Sequence, residues 1–371
     1  YYNSYDMKSD YGWTELVNLI KTIHLDFDNI DSVLNVDRTL WAFAVNQVVQ
    51  NLDCYNTYYV HNYYLYQTKD GLFQMIPWDL DNSFVGAIMG WDYWNPANVY
   101  EYDPYFTGPS LGGNTQPWDE RPLLYKLLDD PFYRKIYTAH LRTIINESLD
   151  ASLITANINQ LQSLASSAAT QDIHKAFSMN DYYNNVNNAI WTGWGFGGII
   201  SSINARKQFL LSHPEINYSA PVAYGMNVTN NLATVNVANA SSVDFMVTTS
   251  EYNSKFQSFQ MLDNGTNGDV TANDGVYTFD LSLIQSGSLE LKFYIRAQNA
   301  DAISLLPERA EYEFFTYSFI SGIADNLFTK RRLLKITDFH GRELNKLKDY
   351  YNIPLLYIYD DGSVEKKLSI K

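Results

Sequence analysis

The stretch whose reading decides the fold runs from Asn51 to Gly86: NLDCYNTYYVHNYYLYQTKDGLFQMIPWDLDNSFVG. A helix ends near Asn51, and a loop follows that holds Asp53, His61 and Asn62. The segment YYLYQ then reads as a strand, Lys69-Asp70-Gly71 as a turn, and LFQMIPW as a second strand ending in Asp79-Leu80-Asp81. A hairpin sets its two strand ends side by side, so the pattern places Asn62 next to Asp79. Asp53 lies in the loop that feeds the same end. Carboxylates and a carboxamide are thus expected to converge at one hairpin mouth. Hard cations such as Mg²⁺ take oxygen ligands of this kind. A carboxylate left free of metal could accept a proton from a hydroxyl nucleophile. The plainer reading of each Asp by itself is a turn or cap residue.

Outward from this stretch, residues 1 to about 213 read as mainly helical. The segment Asp37 to Gln50 repeats Leu40, Ala44 and Val48, and Trp41, Val45 and Val49, at helical spacing, with Asp37 as its expected cap. Asp130-Pro131 opens another helix, a capping residue followed by Pro at the first helical position. Ser152 to Phe177 reads as helix, and a last helix follows Gly193 to Gly198 and ends near His213-Pro214. Beyond Asn217 the composition changes. ATVNVANA, VDFMVTTS and LELKFYIRAQ alternate apolar and polar residues, as half-buried strands do. The fold class expected is α+β and multidomain. Residues 1–217 would form a mainly helical domain with a hairpin, 218–320 an immunoglobulin-like β-sandwich, and 325–371 a small β unit.

Among 371 residues the formal net charge is −15, which argues against a general nucleic-acid binder and against docking on an anionic membrane surface. One cysteine, Cys54, excludes an internal disulfide framework. No apolar run is long enough to span a bilayer. Cys54 reads as a packed small residue and His61 as a hydrogen-bonding support for the loop. Tyr1 carries neither an initiator Met nor a signal peptide, so the chain is expected to be a piece of a longer protein.

The order Asp, Asn, hairpin, Asp matches the phosphoryl-transfer template of protein kinases, where a catalytic-loop Asp precedes a metal-binding Asn and a later metal-binding Asp. Asn62 follows Asp53 by nine positions rather than the about five of that template. HNYYLY, the turn, and IPWDLDNSF resemble the signature of the CotH kinase family, an atypical group of secreted or spore-coat protein kinases. NLDCY resembles its catalytic loop and RPLLYKLLDDPFYRKIY its following helices, a likeness over roughly Tyr1 to His213. The resemblance implies ATP and Mg²⁺ as cofactors and a protein hydroxyl as acceptor. Asp53 would be the catalytic base, Asp79 the main Mg²⁺ ligand, and Asn62 and Asp81 secondary ligands. The family reads Phe-Gly after the second Asp, whereas this chain reads Phe84-Val85-Gly86. A kinase also needs a lobe that sends a Lys to the ATP phosphates. The 52 residues before Asp53 read as helix and loop, so that lobe is expected upstream, residues 1–217 are expected to be the kinase C-lobe-like portion, and the chain alone is expected to bind nucleotide weakly and to be inactive. The alternative is a non-catalytic surface pseudokinase used for adhesion or carbohydrate binding. A metal-dependent hydrolase ranks last, because the six His are scattered.

Two further features stand apart from the hairpin. MLDNGTNGDVTANDGVYTFDL gathers Asp263, Asn267, Asp269, Asn273 and Asp274 in two Gly-containing turns. The choice lies between a Ca²⁺ loop, with Asp263, Asp269 and Asp274 as ligands, and a hairpin turn closed by Asx bonds, slightly favoured. The last 45 or so residues resemble the C-terminal sorting domain of the type IX secretion system, through Gly341-Arg342-Glu343, Asp361-Gly362 and Lys366. That likeness implies the secretion machinery as a partner. It also implies a location outside, or on the outer-membrane surface of, a gram-negative bacterium.

Overall fold

The computed structural model describes residues 5–57, 60–84, 99–108, 121–191, 195–284, 290–318, 333–338, 342–344, 354–359 and 364–368. The chain divides into two compact units, Tyr1–Thr316 and Tyr317–Lys371. Val85, Gly86, Gly193, Gly341, Asp361 and Gly362 lie outside the described residues. Helices and antiparallel sheets both build the chain, so the α+β class holds. No helix of the described residues is long and apolar enough to cross a membrane.

The first helices are α1 (Trp13–Leu25) and α2 (Val36–Val48). The cap of α2 is Asn35, whose side chain accepts from the Arg38 amide, and not Asp37 as the sequence pattern suggests. Asp37 is drawn elsewhere: its Oδ1 lies 2.8 Å from His140 Nε2, and its Oδ2 accepts from the Glu311 amide at 3.2 Å. Further on come α3 (Pro122–Asp129) and α4 (Pro131–Glu147), the latter capped by Asp130 through the amides of Phe132 and Tyr133. Then follow α5 (Ala151–Gln171), α6 (Met179–Asn184) and α7 (Ile199–Ser212). The helix expected to reach Phe177 stops at Gln171, and Ser178 with Asp181 forms a capping box that opens α6. Leu40, Phe43, Leu124, Leu127, Tyr137, Leu141 and Ile145 make the centre of the core. Each such side chain, fully buried, contributes about 1.5–3 kcal/mol.

The hairpin packs onto this core. Strands β1 (Tyr63–Gln67) and β2 (Phe73–Pro77) pair antiparallel from Tyr63↔Pro77 to Gln67↔Phe73. Phe73 and Met75 point inward and are buried, while Tyr64, Tyr66 and Ile76 face out. The start of β2 is pinned beside α2: Phe73 donates to Val33 O at 2.8 Å, and Asn35 donates to Phe73 O at 2.9 Å. A minor two-strand ribbon pairs β3 (Ile190–Trp191) with β4 (Gly195–Phe196).

Beyond residue 220 two antiparallel sheets follow. One has the order β5 (Val222–Thr229), β6 (Leu232–Ala238), β9 (Val276–Asp280). In the other, β11 (Ile303–Leu306), β10 (Glu290–Gln298), β7 (Ser242–Thr248) and β8 (Gln257–Gln260) are neighbours. Phe245 of β7 stacks on Phe293 of β10 at 4.7 Å and on Phe279 of β9 at 5.0 Å, so aromatic rings join the two sheets. In the second unit β12 (Leu333–Thr337), β13 (Pro354–Tyr359) and β14 (Val364–Leu368) form one antiparallel sheet.

Candidate active site

The site begins where α2 stops. Gln50 takes a left-handed φ of 54°, its amide donates to Gln47 O at 3.3 Å, and the Asn51 amide donates to Asn46 O at 2.9 Å. This pair of bonds is the Schellman ending, here with Gln where Gly is usual. It turns the chain into the loop that carries Asp53. That loop is held by a buried polar web. Asn46 Nδ2 donates to Asn56 Oδ1 at 3.1 Å, Asn56 Nδ2 to Phe43 O at 3.1 Å, and Thr57 Oγ1 to Asn51 O at 2.8 Å. Two buried guanidinium groups tie it down from behind. Arg121 donates to Thr57 O; Arg206 donates to Gln47 O at 2.8 Å and Tyr100 O at 2.9 Å. Burial pushes Arg206 down to about 10, still high enough to keep it charged at neutral pH. Buried polar groups in such numbers persist only when nearly all are satisfied.

Asp53 stands at the front of this loop, half-buried. Asn62 Nδ2 donates to Asp53 O at 3.0 Å and to Asp53 Oδ2 at 3.2 Å, and Asn82 Nδ2 reaches the same Oδ2 at 3.2 Å. His61 Nε2 lies 2.8 Å from Asp53 Oδ1, an ion-pair approach rather than an aligned hydrogen bond. The hairpin mouth closes as its register demands, with the Trp78 amide donating to Asn62 O at 3.0 Å. Asp79 follows immediately and is exposed, and Asp81 sits one residue further along a short turn of 3-10 helix. Both act on Asp53. Its carboxyl is raised above the ordinary range, first by burial and then by the Asp79 and Asp81 charges, with His61 and the Asn82 hydrogen bond opposing. Asn62 and His61 therefore touch Asp53, and Asp79 and Asp81 lie near enough for their charges to act on it. Cys54 packs behind, buried, its thiol pushed up to about 12 by desolvation.

Backbone conformation marks the same place. Among the described residues ahead of β5, the non-glycine positions with positive φ are Gln50, Asn62, Asp79 and Phe84. All four border the hairpin mouth, since the Phe84 amide donates to Val49 O at 2.6 Å. Left-handed residues cost about 1 kcal/mol or more outside Gly and Asn, and they collect where function over-determines the geometry. The sequence reading did not single out Asn82 or the Asn46–Asn56 web. The density of Asn between positions 46 and 62 is the one signal that could have pointed to them.

Oxygen donors of this kind, two exposed carboxylates, a half-buried one and a carboxamide, are what a hard divalent cation takes, although the ligand atoms of Asp53, Asp79 and Asp81 do not all converge within 4.8 Å of one another. Mutual repulsion among Asp53, Asp79 and Asp81 is what a bound cation would relieve. A second acidic group differs. Ligand atoms of Asp263, Asp269 and Asp274 lie within 4.8 Å of one another. Their oxygens, however, accept from backbone amides: Asp263 from Asp274 and Gly275, Asp269 from Gly265 and Thr271, Asp274 from Val276. The bonds to Thr271 and Val276 are those of Asx turns, and the others close the loop across itself.

A helical domain, a loop Asp, an Asn and a hairpin followed by a second Asp stand in the order of the phosphoryl-transfer template of protein kinases. Compared with protein-family models, residues 1–192 match the family described as CotH kinase protein, and the chain belongs to that family. Membership of a kinase family suggests use of ATP and Mg²⁺. No curated protein matches the chain.

Proposed function

We propose that the chain carries the catalytic centre of an atypical protein kinase that moves the γ-phosphoryl group of ATP to a Ser or Thr hydroxyl of a protein. The observation that carries this reading is the Asn62 carboxamide bonded to Asp53 at a mouth where Asp79 follows two residues after the other strand. Asp53 accepts the hydroxyl proton as the oxygen attacks phosphorus and the bond to ADP breaks. Its raised carboxyl, due first to burial and then to its acidic neighbours, makes it a better proton acceptor than an ordinary Asp. Asn62 and Asn82 hold the Asp53 carboxylate in place, and His61 offsets its charge. Asp79, Asp81 and Asn62 would hold Mg²⁺, which when bound neutralises charge on the transferred phosphoryl. The left-handed Asp79 and Asn62 support the same reading, because such conformations are kept where a ligand set needs them.

The domain division at 217/218 and 320/325 is part of the proposal, as are the immunoglobulin-like character of the two sheets and the sorting role of the last unit. The sorting reading draws on the hairpin near its start, where Arg342 Nε pairs with Asp338 Oδ2 at 2.6 Å and Thr337 bridges Glu343. It would send the protein through the type IX secretion machinery to the outer surface of a gram-negative bacterium. The test of the kinase reading is transfer of labelled γ-phosphate by the full-length parent protein, with Asp53→Ala and Asp79→Ala as controls. Both substitutions should abolish incorporation; undiminished incorporation in both removes the assignment.

A further inference from the structure

The two elements that form the mouth are also held at their far ends, and in both cases by the β-sheets that follow residue 220. At the turn of the hairpin, Asp70 Oδ2 accepts from Ser254 Oγ and Asp70 O accepts from Lys255 Nζ, each at 2.5 Å. The Asp70 carboxyl is held below its usual value: partial burial pushes it up, but hydrogen bonds from Ser254 and Thr68 outweigh that. The loop offering these donors is shaped for the purpose. Asn253 and Lys255 both adopt left-handed φ, at 52° and 58°. Lys292 Nζ clamps the loop by donating to Ser250 O at 3.1 Å and Asn253 Oδ1 at 2.7 Å, and Thr248 Oγ1 donates to Ser254 O at 2.7 Å. A loop that spends backbone strain to present Ser254 and Lys255 needs a reason, and its contact is the hairpin turn.

The helix pair beneath the site is gripped from the same side. Trp41 Nε1 of α2 donates to Ala310 O at 3.1 Å, and the Glu311 amide donates to Asp37 Oδ2 at 3.2 Å. On α4, Lys135 donates to Asn299 O at 3.1 Å and Arg142 to Ile303 O at 3.3 Å. The helix α2 runs from this grip straight to the Schellman turn before Asp53. Thus one β-domain fixes the base of the Asp53 helix and the tip of the hairpin whose other end carries Asn62 and Asp79.

We infer that the β-domain is a brace for the site: its Ser250–Lys255 loop, gripping Asp70 at the hairpin turn, holds Asn62 and Asp79 at the opposite end against Asp53. Asp70 is then a positioning residue, acting through the hairpin. The inference rests on the kinase reading for its consequence, but its geometry is testable without nucleotide. The experiment is native-state amide exchange on the full chain carrying Ser254→Ala and Lys255→Ala. Position 255 is left-handed in either case, so the exchange of Lys for Ala adds no new backbone strain. The brace predicts about tenfold faster exchange at the mouth amides of Trp78 and Phe84, not only at the turn amides of Thr68 and Gly71. Asp70→Asn retains an acceptor for Ser254 and the backbone carbonyl for Lys255, and should exchange as the unmodified chain does. Faster exchange confined to Thr68 and Gly71, or no change anywhere, overturns the brace. Affinity for Mg²⁺-ATP, measured alongside in the full-length parent protein, bears on the kinase reading alone: its absence there would end that reading and leave the exchange result standing.

Discussion

Asn62 performs two tasks that substitution can separate. Its side chain donates to Asp53 O and Oδ2, and its backbone sits at a φ of 55°. Alanine removes the carboxamide and also suffers in the left-handed region, by about 1–2 kcal/mol. Glycine removes the carboxamide but adopts that φ freely, at an unfolded-state entropy cost of about 0.5–1 kcal/mol. Hydrogen bonds to a charged group are worth about 1.5–3 kcal/mol, and this half-buried pair belongs at the lower end. Local opening of the mouth should therefore become easier by about 3 kcal/mol in Asn62→Ala and by about 2 kcal/mol in Asn62→Gly. The Trp78 amide, bonded to Asn62 O at 3.0 Å, reports that opening directly. Its exchange rate should rise about 150-fold in the Ala variant and on the order of 30-fold in the Gly variant. Both should lose Mg²⁺-dependent nucleotide binding to the same extent, because neither has a carboxamide. Exchange in Asn62→Gly as fast as, or faster than, in Asn62→Ala would refute the claim that backbone conformation at this position is a constraint.

Other consequences follow from burial and charge. Arg206→Met strips buried carbonyls of Gln47, Tyr100 and Tyr102 of their donor, and should destabilise the chain by about 3 kcal/mol or more in urea unfolding; a loss below about 1 kcal/mol would contradict the bonding described. The folded Asp53 carboxyl is raised above its unfolded value of 3.8, so it holds its proton longer in the folded state. Without metal, stability relative to Asp53→Asn should fall as pH rises from about 4 through that raised pKa, and added Mg²⁺ should reverse the trend; thermal melts of the two proteins with equal pH slopes would count against it. Cys54, buried and with its thiol pushed up to about 12, should stay inert to a thiol reagent at pH 8 and react once urea opens the chain; rapid native labelling would contradict its packing.

The hairpin was legible because its determinants are local: alternating residues on both arms and a Lys69-Asp70-Gly71 turn, with Gly71 at φ 90°. From it the nearness of Asn62 to Asp79 followed by geometry. The cap of α2 was misread because Asp37 is taken by His140 and the Glu311 amide, partners 103 and 274 residues away that no local rule supplies. Asn82 escaped notice for the same reason: its bond to Asp53 spans 29 residues. The left-handed positions at Gln50, Asp79 and Phe84 were invisible because those residue types do not signal positive φ. The grip of Ser254 and Lys255 on Asp70 joins two segments that each read as ordinary loops. What the sequence carried was local patterning, and what it hid was long-range hydrogen bonding and backbone strain.

One spectroscopic titration reaches the centre of the account. Mn²⁺, standing in for Mg²⁺, is added with ATP to the full-length parent protein and to its Asp79→Ala variant, and electron paramagnetic resonance counts the protein-bound metal and its coupling to phosphorus. The account predicts a bound, phosphate-coupled ion in the first and none in the second. An identical bound ion in both, or coupling that survives without the Asp79 carboxylate, would contradict it.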